Sequence, residues 1–257
     1  MNTPRRLALL VAYDGREFHG FQRQPGFLTV QEELERAWSA TSGETAVLHG
    51  SGRTDAGVHA WGQVVHFNTW SSLPAAKVKA ALNSYLPDEL VVRASAEVAP
   101  EFHARSSAVA KRYGYLLATG RSRPVLRRGL VAWEKREDLD LAAMRAAVPF
   151  LLGTHDFSAF AAAGRTTKTS VRTLSSIHVH PIRGGFGFLF QGDGFLYKMV
   201  RNLVGSLLEV GRRRRAPQWV GAVLASGDRR KAGPTAAAEG LYLWRVVYPQ
   251  DPFRNLA

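Results

Sequence analysis

The stretch Gly50-Ser51-Gly52-Arg53-Thr54-Asp55-Ala56-Gly57-Val58-His59 places a carboxylate, a guanidinium and three glycines within ten residues. Glycine tolerates positive φ and lets a second backbone or a ligand come close. Arg53 and Asp55 are two apart, so on an extended segment they point to the same side. A carboxylate beside a permanent cation stays ionised and is available as nucleophile or base. A polar turn holding a local ion pair is the competing reading, and for Thr54-Asp55-Ala56-Gly57 taken alone it is the stronger one. Two phosphate-cradling loops are excluded. Gly52 and Gly57 have Walker-A spacing, but Val58-His59 stands where Lys-Ser/Thr must reach the phosphates. Gly50-x-Gly52 opens like a dinucleotide fingerprint, but Asp55 occupies the third glycine's place.

The elements around this loop are legible from periodicity. Leu7 to Tyr13 reads as a buried strand ending at the turn signal Asp14-Gly15. The polar, aromatic run Phe18-His19-Gly20-Phe21-Gln22-Arg23-Gln24 reads equally as an RNA groove lining or a packed loop. Thr29 and Glu32 form a capping box before a helix with Val30, Leu34, Ala37 and Trp38 at helical spacing. A strand covers Gln63 to Phe67, Pro74 opens a helix carrying Val78, Ala81, Leu82 and Tyr85, and Leu90 to Val98 is a further strand. The order strand, helix, strand, strand, helix, strand predicts a split β-α-β sandwich.

Phe102-His103-Ala104-Arg105 marks the join to a second half. Ser107 to Ala118 alternates like a strand, with Tyr113 and Tyr115 sharing one face and Arg112 the other; a tyrosine there is ordinarily a core or edge residue. Arg121 to Arg128 is a basic loop. Asp138 to Leu152 reads as a helix that Pro149 must kink or end early. Ala161 to Ser170 reads as a mobile loop. Arg172 to His180 and Phe186 to Gln191 form a hairpin across Gly184-Gly185. Phe195 to Val210 is the strongest helix, stopped by Gly211, and Arg212-Arg213-Arg214-Arg215 follows at its C-terminus, where cations suit the macrodipole even without a ligand. Pro217 begins a short helix, and Leu241 to Val247 is a closing strand. The expected fold is α+β: two similar α/β lobes, residues 1–104 and 105–257, with antiparallel (mixed) sheets joined into one extended central sheet, helices on one face and a catalytic cleft between the lobes.

Composition limits the function classes. The 257 residues include no cysteine, which excludes disulfides and thiolate metal sites and suits a reducing cytoplasm. No apolar run approaches the roughly 18 residues a membrane span needs, and the N-terminus lacks the apolar core of an export signal. The net charge of +13 is uneven: residues 1–104 hold 9 Lys and Arg against 11 Asp and Glu, whereas residues 105–257 hold 25 against 10. A polyanion surface in the second half follows, nucleic acid being the first candidate because arginine predominates and suits phosphate forks and base stacking.

With these residues in view, the chain resembles the bacterial tRNA pseudouridine synthase A family. The resemblance rests on Gly52-Arg53-Thr54-Asp55-Ala56-Gly57-Val58-His59-Ala60 followed by Gly62-Gln63-Val64-Val65-His66-Phe67. Tyr13-Asp14-Gly15, Gly20-Phe21-Gln22-Arg23-Gln24, Val30-Gln31-Glu32, Phe102-His103-Ala104-Arg105, Lys111-Arg112-Tyr113, Met199-Val200-Arg201-Asn202 and Glu239-Gly240-Leu241-Tyr242-Leu243 are similar to it in the same order. It implies an isomerase that converts uridines 38, 39 and 40 of the tRNA anticodon stem-loop to pseudouridine, without metal or cofactor. The catalytic aspartate matches Asp55. Arg53 matches the arginine that pairs with it and holds the nucleotide site open, and Tyr113 the tyrosine that stacks on the base. Arg201 matches an arginine that also pairs with the aspartate, and Leu241 an apolar wall behind the base. Arg23, His103, Arg105, Arg212 and Arg213 are expected RNA contacts, and the family implies a homodimer. A uridine in a stem must leave its stack to react, at a cost of about a few kcal/mol, which phosphate contacts offset. Ser51 replaces an alanine found in some members, and Tyr197-Lys198 stands where others carry histidines.

Two other classes are distinguishable. A non-catalytic RNA-binding protein of the same fold would lose nothing when Asp55 is replaced. A metal-dependent hydrolase would need ligands among His49, His59, His66, His178 and His180, but no His-Glu-x-x-His spacing is present.

Overall fold

The computed structural model describes residues 3–164 and 169–254. In chain order the first elements are β1 (Arg5–Tyr13), α1 (Val30–Ser42), β2 (His49–Gly50), β3 (His59–Thr69), α2 (Ala75–Asn83) and β4 (Leu90–Val98). There follow β5 (Ala110–Thr119), β6 (Ala132–Glu134), α3 (Leu141–Ala147), β7 (Gly153–Asp156), β8 (Val171–Ile182) and β9 (Gly185–Gly192). The last are α4 (Met199–Gly211), α5 (Trp219–Ser226) and β10 (Leu241–Val247), giving an α+β fold. By contact the chain divides into two compact units, residues up to Val109 together with Tyr242 onward, and Ala110–Leu241. This cut differs from the chain-order division at Ala104/Arg105 read from charge, because β10 returns to the first unit.

In the first unit β1 is central, antiparallel to β3 and to β4, with Leu9 opposite both Val65 and Ser95. β10 adds to β3 in parallel, Tyr242 opposite His59 and Leu243 opposite Ala60. Between Val11 and Tyr13 the register against β3 slips, the signature of a β-bulge, which re-aims the strand just after the Asp55 loop. Helix α1 buries Val30, Leu34, Ala37 and Trp38 at the spacing the sequence shows, and the Trp38 ring meets Phe67 edge-on at 4.8 Å. Val30 and Leu34 each contribute about 1.5–3 kcal/mol of apolar transfer. Thr29 caps α1 by accepting from Glu32 N at 3.4 Å, while the Glu32 carboxylate lies 3.6 Å from Arg23 Nε.

In the second unit β5 runs antiparallel to β9, with Tyr113 opposite Phe190, and β8 and β9 form the expected hairpin. β7 adds to β8 antiparallel and β6 to β5 in parallel. The hairpin turns on Arg183-Gly184 rather than Gly184-Gly185. Gly185 already lies in the ladder, where a Cβ would stand 1.8 Å from the Leu117 carbonyl oxygen. The helix expected from Asp138 to Leu152 is α only to Ala147 and continues as a 3-10 turn over Val148–Leu151. Pro149, lacking an N–H, ends the α ladder. Asp140 caps this helix, accepting from Ala143 N at 2.9 Å.

Helix α4 is shorter at its start than the expected Phe195 to Val210. Lys198 is left-handed (φ 58°), which no right-handed helix accommodates, so α4 begins at Met199. At the other end Gly211 lies inside the helix, and the left-handed residue is Arg213 (φ 60°). Of the loop expected over Ala161 to Ser170, residues 165–168 lie outside the described residues.

Candidate active site

The loop carrying Arg53 and Asp55 joins β2 to β3 and is held from beneath by buried polar side chains. Gln63, fully buried on β3, ties its base: Ser51 Oγ donates to Gln63 Oε1 at 2.6 Å, and Gln63 Nε2 donates to the Gly52 carbonyl at 2.9 Å. Ser51 N reaches Val64 O at 2.8 Å. One step on, buried Thr54 shares a hydrogen bond with the Tyr13 hydroxyl at 2.8 Å. Burial pushes the Tyr13 hydroxyl up to about 12, against the opposing hydrogen bonds of Thr54 and Gln63, so it stays protonated.

The residues Phe18 to Gln24 pack onto this loop. Phe21 N donates to Thr54 O at 3.2 Å, and Gly57 N to Phe18 O at 3.4 Å. The approach is close enough to require glycine: a Cβ on Gly15 would lie 2.2 Å from the Val58 carbonyl oxygen, and Gly20 sits at φ 90° against the Thr54 carbonyl. Of the two open readings of this aromatic run, the packed loop is what its backbone forms. His59, at the start of β3, is buried, accepts from Gly15 N at 3.0 Å and stacks on Tyr242 at 4.6 Å.

On this platform Thr54 points inward, Arg53 is exposed and Asp55 is half-exposed. Arg53 Nε donates to Gln22 Oε1 at 3.3 Å, which directs the cation to the 18–24 segment.

In the second unit, Tyr113 is buried on β5, its ring edge-on to Phe195 at 4.9 Å. Arg201, in the first turn of α4, donates through Nε to Ala236 O at 2.7 Å, and Ala236 N returns a bond to Arg201 O at 3.1 Å. The segment Pro234 to Gly240 is thus laid along α4, where Gly205 leaves no room for a side chain: a Cβ would be 1.7 Å from Pro234 O. Asn202 completes the joint. Its Nδ2 donates to Phe160 O at 2.7 Å, and its Oδ1 accepts from Thr235 Oγ1 and Arg229 Nη2. Leu241, buried, follows this segment at the head of β10. Gln63 and Asn202 carry these frameworks, yet the sequence marked them only as members of longer motifs.

The expected RNA contacts fall into distinct settings. Arg23 is exposed and lies 3.4 Å from Glu35. The His103 ring is half-buried, accepts from Arg105 N at 3.1 Å and sits 4.5 Å from the His66 ring, with Arg105 exposed beside it. Arg212 is held by two carboxylates, Glu134 at 3.0 Å and Glu209 at 2.6 Å, and its side chain is only 18% exposed. Arg213 is exposed and contacts Asp140 at 3.2 Å.

The five histidines of the hydrolase reading do not converge. His49 stacks near His66 at 5.2 Å, His59 is engaged with Gly15 and Tyr242, and His178 and His180 stack on each other in the second unit. Among the described residues no three His, Asp or Glu side chains are arranged to hold a metal ion. No described helix is long and apolar enough to cross a membrane.

Asp55 thus stands half-exposed on a loop whose approach is held by buried polar side chains. The sequence profile of the tRNA pseudouridine synthase family matches residues 9–105 and 147–249. Over 248 residues, 96% of each chain, the sequence is 47% identical to tRNA pseudouridine synthase A of Geobacillus kaustophilus. It is 46% identical to the protein of that name from Shouchella clausii, over 97% of this chain and 96% of the relative. For Brevibacillus brevis the identity is 45%, over 95% of this chain and 100% of the relative. The chain belongs to the tRNA pseudouridine synthase family and is an isomerase.

Proposed function

We propose that this enzyme converts uridines 38, 39 and 40 of the tRNA anticodon stem-loop to pseudouridine in the cytoplasm, with Asp55 as nucleophile. In the reaction the N1–C1′ glycosidic bond breaks, the base turns, and C5 bonds to C1′. The C5 proton leaves to solvent and N1 ends protonated, so the isomerisation balances without an added reactant. The observation that carries the reading is the framework of Ser51, Thr54 and Gln63, which fixes the backbone leading into Asp55 while the residue stays half-exposed. Preorganisation of this kind lowers the cost of placing a reacting group.

Around that nucleophile, Arg53 keeps the nucleotide site open, Tyr113 stacks on the everted base, Arg201 pairs with the aspartate and Leu241 walls the base. These roles rest on motif resemblance. Arg23, His103, Arg105 and Arg213 act as phosphate or base contacts. Arg212 joins them with less of its charge available, because two carboxylates already engage it. The working form is a homodimer, and no metal or cofactor takes part.

Tritium release from 5-tritiated uridine in tRNA tests this. Release should be abolished in Asp55→Asn while tRNA binding is retained, and it should persist in chelator. Mapping of pseudouridine in the product should place it at the three named positions. Undiminished release from Asp55→Asn would remove that residue from the chemistry, and a native chain that binds tRNA without releasing tritium would be a binding protein.

A further inference from the structure

Between β5 and β6 the chain projects a short arm whose ends are fastened. Thr119 N donates to Gly184 O at 2.9 Å, Gly120 N to Glu134 O at 3.1 Å, and the Trp133 indole N–H to Gly120 O at 2.8 Å. At its apex Pro124 leads into a 3-10 turn over Val125–Arg127, closed by Arg127 N to Pro124 O at 2.9 Å and Arg128 N to Val125 O at 3.2 Å. The two residues at the summit are apolar and outward: Val125 is 73% exposed and Leu126 is 99% exposed. Arg121, Arg123, Arg127 and Arg128 surround them, all exposed. No acidic residue occurs from Arg121 to Trp133, and among the described residues none of the four guanidiniums forms an ion pair.

Scattered surface leucines are ordinary. Two adjoining apolar side chains on a hydrogen-bonded turn, flanked in sequence by four exposed arginines of which Arg123 lies over the Trp133 ring at 5.6 Å, are a different arrangement, because the like charges repel one another until an anion sits between them. Guanidinium takes phosphate in a fork, and apolar side chains wedge against or between bases, so the two features together fit nucleic acid. We propose that the arm of Arg121 to Arg128 is a second tRNA-binding element, in which Val125 and Leu126 pack against bases outside the reacting uridine while the four arginines hold the flanking phosphates. This deepens the tRNA reading of the preceding section and rests on it.

The test compares the native chain with Leu126→Ser and with a variant carrying Arg→Gln at 121, 123, 127 and 128, after melting curves confirm that all three are folded. Because the substitutions lie on an exposed turn, unchanged melting is expected. The arginine variant should bind tRNA at least about tenfold more weakly near 0.1 M salt, with the slope of log K against log salt reduced by about 2 to 4. Leu126→Ser should weaken binding about three- to tenfold with the slope intact, and kcat at saturating tRNA should match the native value in both. Native affinity in both variants would overturn the proposal. So would a change of sedimentation in Leu126→Ser, which would assign the tip to a contact between copies. Loss of binding to anionic lipid vesicles at constant tRNA affinity would equally overturn it, in favour of a membrane surface. A native chain inactive on tRNA ends the underlying reading, whereas an active native chain with unaffected variants ends this inference alone.

Discussion

Ser51 and Gln63 are joined by a 2.6 Å hydrogen bond at the base of the Asp55 loop, and both side chains are fully buried. The amide of Gln63 also holds the Gly52 carbonyl, so one side chain closes the loop from inside the sheet. Replacing Gln63 by Leu removes the acceptor of the Ser51 Oγ bond and the donor to the Gly52 carbonyl, at about 1–3 kcal/mol of stability. Because the loop can then shift, kcat should fall at least about tenfold with little change in tRNA affinity. Urea unfolding alongside steady-state tritium release checks both. A stability loss with kcat intact would reduce Gln63 to a purely structural residue.

Gly15 stands where a methyl group would lie 2.2 Å from the Val58 carbonyl oxygen. Gly15→Ala should therefore push the two strands of the loop apart, at about 1–3 kcal/mol or more, and lower kcat. Gly26, left-handed but with open space around its Cβ position, supplies the contrast. There Gly→Ala meets only backbone strain, about 1 kcal/mol, and activity should be near native.

The arginines after α4 are expected to differ sharply. Arg212 bridges Glu134 and Glu209, both largely shielded from solvent; burial pushes the Glu134 carboxyl's pKa up, but Arg212 together with Arg136 brings it below the ordinary value. Arg212→Ala takes from two largely buried carboxylates the cation that bridges them and should destabilise the fold by about 2–4 kcal/mol. Arg214 is mostly exposed and reaches Glu209 at 3.3 Å, so Arg214→Ala should cost less than about 1 kcal/mol. Chemical denaturation of the two variants decides the matter, and equal losses would refute the distinction.

A pH dependence follows from the imidazoles of the first unit. Burial, assisted by the neighbouring His103, His49 and Arg6 charges, pushes His66 down to about 4. Its Nδ1 accepts from Ala104 N at 3.2 Å, a bond the protonated ring cannot accept. Since the folded value lies below the unfolded value of about 6.5, the neutral ring's contribution is fully present above pH 6.5. It is lost as pH falls from there toward 4, by about 2–3 kcal/mol. The stability difference between native and His66→Gln should narrow over that window, and a constant difference would contradict the assignment.

The strands and helices were legible where side-chain periodicity alone decides them, as in α1, whose apolar stripe is the buried stripe. Pro149 was equally plain, because its chemistry acts locally. Lys198 was not: nothing in its type demands a left-handed conformation, and Phe195 turns toward Tyr113 through contacts distant in sequence. The four arginines from 212 to 215 look alike as a string, yet Glu134, Glu209 and Asp140 set them apart. For the same reason Asp55 drew notice through its motif, whereas Gln63 and Asn202 gained their importance only from partners brought to them by folding.

β10 pairs with β3 in the first unit, whose other strands all precede Val109, and the whole of Ala110–Leu241 is made in between. During synthesis the earlier portion must therefore wait with β3 incompletely flanked while the inserted portion emerges and condenses. A premature stop within the insertion would cost the earlier portion its last strand as well, so the two halves share one fate despite their separate cores.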